Sequence, residues 1–154
     1  MNPAFLKQAI EHAAESARRG GGPFAALVVK DGVPIAAGAN RVTASNDPTA
    51  HAEIVAIREA CRVLASFQLT GCEVYCSCEP CPMCLGALFW ARPARIFYAA
   101  TAADAAAAGF DDALIYGQLA LPPAGRAIPM IHVPDGSSAR PFEEWNARSE
   151  NVRY

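Results

Sequence analysis

The sequence predicts an α/β fold, a three-layer α/β/α sandwich around a mixed five-stranded sheet. Three observations carry this reading. Short apolar runs of strand length alternate along the chain with segments whose apolar residues recur at helical spacing. Two of those runs meet around Asp31-Gly32, a hairpin signal. Proline and glycine punctuate nearly every boundary. Buried strands alternating with helices imply a sheet covered on both faces.

Each element has a local reason. Asn2-Pro3 followed by Phe5, Leu6, Ala9, Ile10, Ala13 and Ala17 reads as a capped amphipathic helix, stopped by Gly20-Gly21-Gly22. Phe24 to Lys30 and Val33 to Ala39 are the hairpin strands, and a polar loop runs from Asn40 to Asn46. Asp47-Pro48 is expected to open a second helix ending near Leu64, with His51 in its first turn. Glu73 to Ser77 reads as a buried strand, and Pro82 opens a third helix that ends near Arg92-Pro93. Arg95 to Ala99 is a fourth strand. Thr101 to Ala108 is an alanine-rich helix broken by Gly109, and Phe110 to Leu119 is a further short helix. Pro122, Pro123, Pro129 and Pro134 bracket an irregular stretch in which Ile128 to Val133 is expected to form a fifth, edge strand. Pro141 to Arg153 reads as a closing helix or tail.

The length of 154 residues fits one domain with one core, and 53% hydrophobic against 18% charged residues indicates a globular chain. No apolar run suits a membrane span, and Met1 to Lys7 does not resemble a signal peptide. The net charge is −2, and Arg18, Arg19, Arg58, Arg62, Arg92 and Arg95 form no cluster. Nucleic-acid binding relies on neutralising phosphates, so this balance favours a small molecule over a polynucleotide. Four of the six cysteines crowd between positions 76 and 84 in a chain with ample apolar mass, which points to reduced thiols and a cytoplasmic location.

The chemistry concentrates in His51-Ala52-Glu53 and Pro80-Cys81-Pro82-Met83-Cys84. One histidine and two cysteines suit one zinc ion per chain with an open fourth position, the catalytic arrangement. Cys81 and Cys84, three apart, share a helix face, and a helix N-terminus favours thiolates. His51 and Glu53 are about 200° apart around a helix, so they can converge only beyond its end. Zinc with two thiolates and a neutral imidazole carries no net charge and is a weaker Lewis acid than zinc with three histidines. A nearby base is then required, and Glu53 fits that role. A closed site of Cys76, Cys78, Cys81 and Cys84 is the structural alternative, and a redox dithiol at Cys81 and Cys84 is another. Both leave His51-Ala52-Glu53 unexplained.

Over nearly its whole length the chain resembles the cytidine deaminase-like zinc hydrolases, whose H-x-E and P-C-x-x-C pattern it carries. Asp47 to Glu53 and Cys78 to Ala87 resemble two of its branches, bacterial guanine deaminases and tRNA adenosine deaminases. Phe89-Trp90-Ala91-Arg92-Pro93, Ala108-Gly109-Phe110-Asp111-Asp112 and the terminal Tyr154 tilt the resemblance to the guanine branch. The resemblance implies that Asn40, Asp112 and Tyr154 contact a purine base. It also implies a domain-swapped homodimer in which the segment from about 135 to 154 reaches the partner subunit. A carboxylate such as Asp112 matches the base's donors, an amide such as Asn40 can serve donors or acceptors, and Phe24 or Trp90 can stack on or wall the base. The competing readings are a tRNA adenosine deaminase on the same fold and a non-catalytic, zinc-stabilised binding module. His12, His132, Cys61, Cys72 and Cys76 read as structural.

Overall fold

The computed structural model describes residues 1–153. Its elements are α1 (Pro3–Arg18), β1 (Ala25–Lys30), β2 (Val33–Ala39), α2 (Val42–Ser45), α3 (Ala52–Leu64), β3 (Cys72–Cys78), α4 (Pro82–Ala91), β4 (Arg95–Ala100), α5 (Ala102–Ala107), α6 (Ala113–Leu119) and α7 (Arg140–Ala147). A 3-10 turn occupies Pro123–Gly125. The chain forms two units, Met1–Ala113 and Leu114–Tyr154. Tyr154, one of the expected base contacts, lies outside the described residues.

The first unit is built on a sheet of order β2-β1-β3-β4. β1 runs antiparallel to β2 and β3, and β3 runs parallel to β4, so the sheet is mixed. Side chains alternate across a strand with a period of two. Ala26 and Val28 of β1 accordingly join a core with Val74, Cys76 and the Ala52, Ala56 and Ala60 face of α3. Leu27 and Val29 point the other way and pack with Tyr75, Ala9, Phe5 and Leu6 under α1. The α/β/α layering follows from these two cores. α1 starts as its sequence requires, with Asn2 Oδ1 accepting from the Ala4 N–H at 3.0 Å. Asp31 (φ 49°) and Gly32 (φ 76°) make the expected hairpin turn.

Gly38 sets how closely α3 approaches the sheet. A β-carbon at this position would lie 2.2 Å from the Ala52 carbonyl oxygen and 2.6 Å from the Ala56 nitrogen. With only hydrogen there, the first turn of α3 closes onto β2, and His51 and Glu53 are carried with it.

Three expectations are corrected. The sheet has four strands, not five. Ile128 to Val133 forms no ladder, because Pro129 lacks an N–H and Ile128, Ile131 and Val133 are 77–83% exposed. The helix expected from Asp47 begins at Ala52. Asp47 Oδ1 instead accepts from both the Thr49 N–H (2.8 Å) and the Thr49 hydroxyl (2.7 Å), a local turn that competes with helix. Within the expected polar loop, Val42–Ser45 makes a single helical turn.

In the second unit, among the described residues, no side chain is buried. Its longest helix, α7, is shorter than the closing helix expected and carries an exposed Arg140–Glu144 ion pair at 3.6 Å. Among the described residues no helix is long and apolar enough to cross a membrane.

Candidate functional site

Two helix starts converge at one end of the first unit. His51 is the N-cap of α3, in extended conformation (φ −67°, ψ 157°), and its ring makes no capping bond, which leaves it available as a ligand. Cys81 holds the equivalent place on α4 (φ −63°, ψ 167°). Cys84 is buried in the first turn of α4, and Glu53, 7% exposed, lies in the first turn of α3.

The donor atoms of His51, Cys81 and Cys84 lie within 4.8 Å of one another. Among the described residues no other histidine, cysteine or acidic group of three or more is so arranged. Cys81 Sγ and His51 Nδ1 are 3.6 Å apart. Two tetrahedral zinc ligands, sulfur at ~2.3 Å and nitrogen at ~2.0 Å, stand about 3.5 Å apart, so the donor set fits zinc. The closed four-cysteine alternative is not formed. Cys76 is fully buried in the sheet, and the Cys78 thiol donates to the Thr101 carbonyl at 3.6 Å. All six cysteines are free thiols.

Electrostatics divide the site into roles. The thiol of Cys84 donates to Glu53 Oε2 at 3.4 Å. The hydrogen bond from Cys84 holds the Cys81 thiol down to about 4, with the His51 ring adding to the effect. That same pairing, with burial and the Glu53 charge, pushes Cys84 far up. In the metal-free pair the electrostatics favour the proton on Cys84 over Cys81. Burial raises the Glu53 carboxyl. A carboxylate raised in this way is a stronger base, which suits proton transfer near neutral pH. His51 is raised by its hydrogen bond to Cys81.

Asn40 follows β2, where its N–H donates to the Phe24 carbonyl at 3.0 Å. The next N–H, of Arg41, bonds to Ala50 beside His51 at 2.9 Å, which ties Asn40 to the start of α3. Phe24 lies at the same end of the sheet, since the N–H of its neighbour Ala25 bonds to Ser77 Oγ at 3.0 Å near the end of β3. Asp112 is half-buried, and its carboxyl is raised by burial and then by the nearby Cys81 charge. Trp90 lies further along α4. It is 62% exposed near the far end of α4, six residues beyond Cys84 and so about 9 Å along the helix axis.

Two participants were not singled out from the sequence. Phe110 meets Phe24 edge-on, with centroids 5.0 Å apart at 88°. Its signal was its place between a helix-breaking glycine and two aspartates. Glu79 ties the cysteine loop to the turn after β4. Its N–H bonds to Ala100 O at 2.9 Å, and its Oε2 accepts from the Ala102 N–H at 3.0 Å.

Residues 2–100 match the family described as the cytidine and deoxycytidylate deaminase zinc-binding region. The span includes His51, Glu53, Cys81 and Cys84. Guanine deaminase of Bacillus subtilis (strain 168) is 53% identical over 151 residues, 97% of each chain. The chain belongs to the guanine deaminase family. The crystal structure of guanine deaminase from Bacillus subtilis superimposes with a TM-score of 0.98 at 52% identity, covering 100% of this chain and 99% of that one. A tRNA-specific adenosine deaminase of Aquifex aeolicus (strain VF5) is 44% identical over 96 residues, 62% of this chain and 64% of that protein. A variant of the protein NE0047 in complex with 8-azaguanine matches with a TM-score of 0.68 at 39% identity, covering 71% of this chain and 64% of that one. Membership in the guanine deaminase family accounts for zinc as the resident metal of the His51, Cys81 and Cys84 set.

Proposed function

We propose that this protein hydrolyses guanine to xanthine and ammonia. The observation that carries the reading is the span of the likeness: 151 residues for the guanine enzyme against 96 for the tRNA enzyme. The surface agrees, because several of the arginines that a polynucleotide would need are already paired with acids. Arg18 pairs with Glu11 (2.9 Å), Arg62 with Glu59 (2.6 Å) and Arg95 with Glu73 (3.5 Å).

His51, Cys81 and Cys84 would hold the zinc, which when bound would supply the Lewis acidity that makes water easier to deprotonate. Glu53 does the proton work. Its carboxylate takes a proton from the attacking water and gives it to the ring nitrogen beside the amino-bearing carbon. As the C–N bond to the amine breaks, Glu53 moves the remaining hydroxyl proton to that nitrogen, which leaves as ammonia. Burial of Glu53 keeps this proton from exchanging with bulk water.

Base recognition falls to Asn40, Asp112 and Phe24, with Tyr154 as a further contact. Asp112 accepts from ring or amino N–H groups, Asn40 supplies an amide, and the Phe24–Phe110 pair offers an aromatic wall. Trp90, exposed near the end of α4, is a further candidate to stack on or wall the base. The functional unit is a homodimer in which the segment from about 135 to 154 packs on a second copy. Supporting this, Leu114, Leu119, Ile128, Ile131, Val133 and Phe142 are all more than half exposed in a unit that buries no side chain among the described residues.

The test is direct. Zinc-loaded protein mixed with free guanine is followed for xanthine by ultraviolet absorbance, with Glu53→Ala as control. Turnover lost in the control supports reaction and site together. No turnover by protein holding one zinc per chain, alongside activity on an RNA adenosine, would replace the substrate.

A further inference from the structure

We infer that Gly22 is a positioning residue that fixes the Asn40 amide with its NH2 group turned toward the base, so that Asn40 acts as a hydrogen-bond donor. This rests on the assignment of Asn40 to base recognition.

The geometry is specific to this pair. A β-carbon built on Gly22 would lie 2.9 Å from both Cγ and Oδ1 of Asn40 and 3.1 Å from its Cβ. The amide therefore packs directly on the α-carbon of Gly22. On its other side Asn40 Oδ1 accepts from the Val42 N–H at 3.2 Å. A backbone N–H can only donate, so this bond settles which end of the amide is the oxygen. The amide is pinned between a bare α-carbon and a backbone donor. Its NH2 group has no hydrogen-bond partner among the described residues, and it is the end left to meet a ligand.

Neighbouring glycines do not share this role. A β-carbon at Gly21 would strike Ser16 Oγ at 2.6 Å, within α1. Gly22 has no left-handed backbone to maintain, since its φ is not positive. The three atoms nearest to a methyl there all belong to the Asn40 side chain, so alanine pushes first on that side chain. The consequence for specificity is complementary reading: Asn40 donates to an acceptor of the base, such as O6 or a ring nitrogen, while Asp112 accepts from a donor.

The experiment compares KM and kcat on guanine, zinc content and unfolding temperature for Gly22→Ala, Asn40→Ala, the double variant and Asn40→Asp. Gly22→Ala is expected to raise KM about tenfold, the loss of one well-placed hydrogen bond, with zinc and unfolding temperature retained. The double variant should lie close to Asn40→Ala alone, since the 2.9 Å contacts with Cγ and Oδ1 are gone and only the 3.1 Å approach to Cβ remains. Asn40→Asp keeps the acceptor for Val42, replaces the donor by a second acceptor and adds a negative charge, so KM should rise there too. Wild-type KM in Gly22→Ala, or effects of Gly22→Ala and Asn40→Ala that multiply, would overturn the positioning role. Unchanged or lower KM in Asn40→Asp would overturn the donor assignment even if Gly22→Ala fails to fold. Wild-type KM in Asn40→Ala would instead remove Asn40 from base recognition, and the inference with it.

Discussion

The thiol of Cys84 lies 3.4 Å from Oε2 of Glu53, joining a member of the metal-binding group and the proposed proton carrier across two helix starts. The two residues sit in the first turns of α4 and α3, so the register of those helices sets the distance between metal chemistry and acid–base chemistry.

Replacing Glu53 separates these functions. Glu53→Gln should bind zinc at the wild-type stoichiometry, because Glu53 is not among the ligands. Its kcat should fall by roughly 10²–10⁴-fold, the usual contribution of a general acid–base group. Metal analysis and steady-state kinetics on the same preparation check this, and wild-type turnover would reassign the proton transfer.

Zinc uptake by metal-free protein should release protons and weaken as pH falls. Cys81 is held down to about 4 and Cys84 is pushed far up, so the proton of the pair is expected on Cys84 in the metal-free protein. Binding must displace that proton, so acid competes with metal, and competition steepens near 4 when Cys81 also protonates. The raised His51 adds a further proton to displace on the acid side. Zinc titration in two buffers of different ionisation enthalpy counts the protons, and a count of zero would contradict the assigned proton on Cys84.

Gly38→Ala tests the approach of α3. Its methyl would meet the Ala52 carbonyl at 2.2 Å, a backbone atom that cannot swing aside. Overpacking of this kind costs roughly 1–3 kcal/mol, which for a chain of this size lowers the unfolding midpoint by roughly 2–12 °C. Catalysis should fall as well, because α3 carries His51 and Glu53. A melting curve that overlays the wild type would show that the helix can shift at no cost.

Deleting Tyr154 should raise KM or lower kcat on guanine while leaving zinc content unchanged. Steady-state kinetics of the truncated chain would detect either effect. Identical constants would remove the terminal residue from base recognition.

The sequence by itself determined the metal chemistry and most of the architecture. His51, Glu53, Cys81 and Cys84 are legible because zinc chemistry needs particular donor atoms, and those residue types occur together in short, spaced motifs. The hairpin, the central strand and most helices are legible because periodicity and turn residues act over a few positions. The start of α3 was misplaced because an Asp47 side chain captured the Thr49 N–H, a competition between local hydrogen bonds that residue types alone do not decide. The expected fifth strand failed for a different reason: a strand exists only when another strand completes its hydrogen bonds, and Pro129 removes one donor. Tertiary structure alone decided that Gly38 admits α3 to the sheet, that Phe110 meets Phe24, and that Gly22 lies under the Asn40 amide. These are contacts between segments distant in sequence, set by how closely backbones can approach once packed, and no local pattern encodes them.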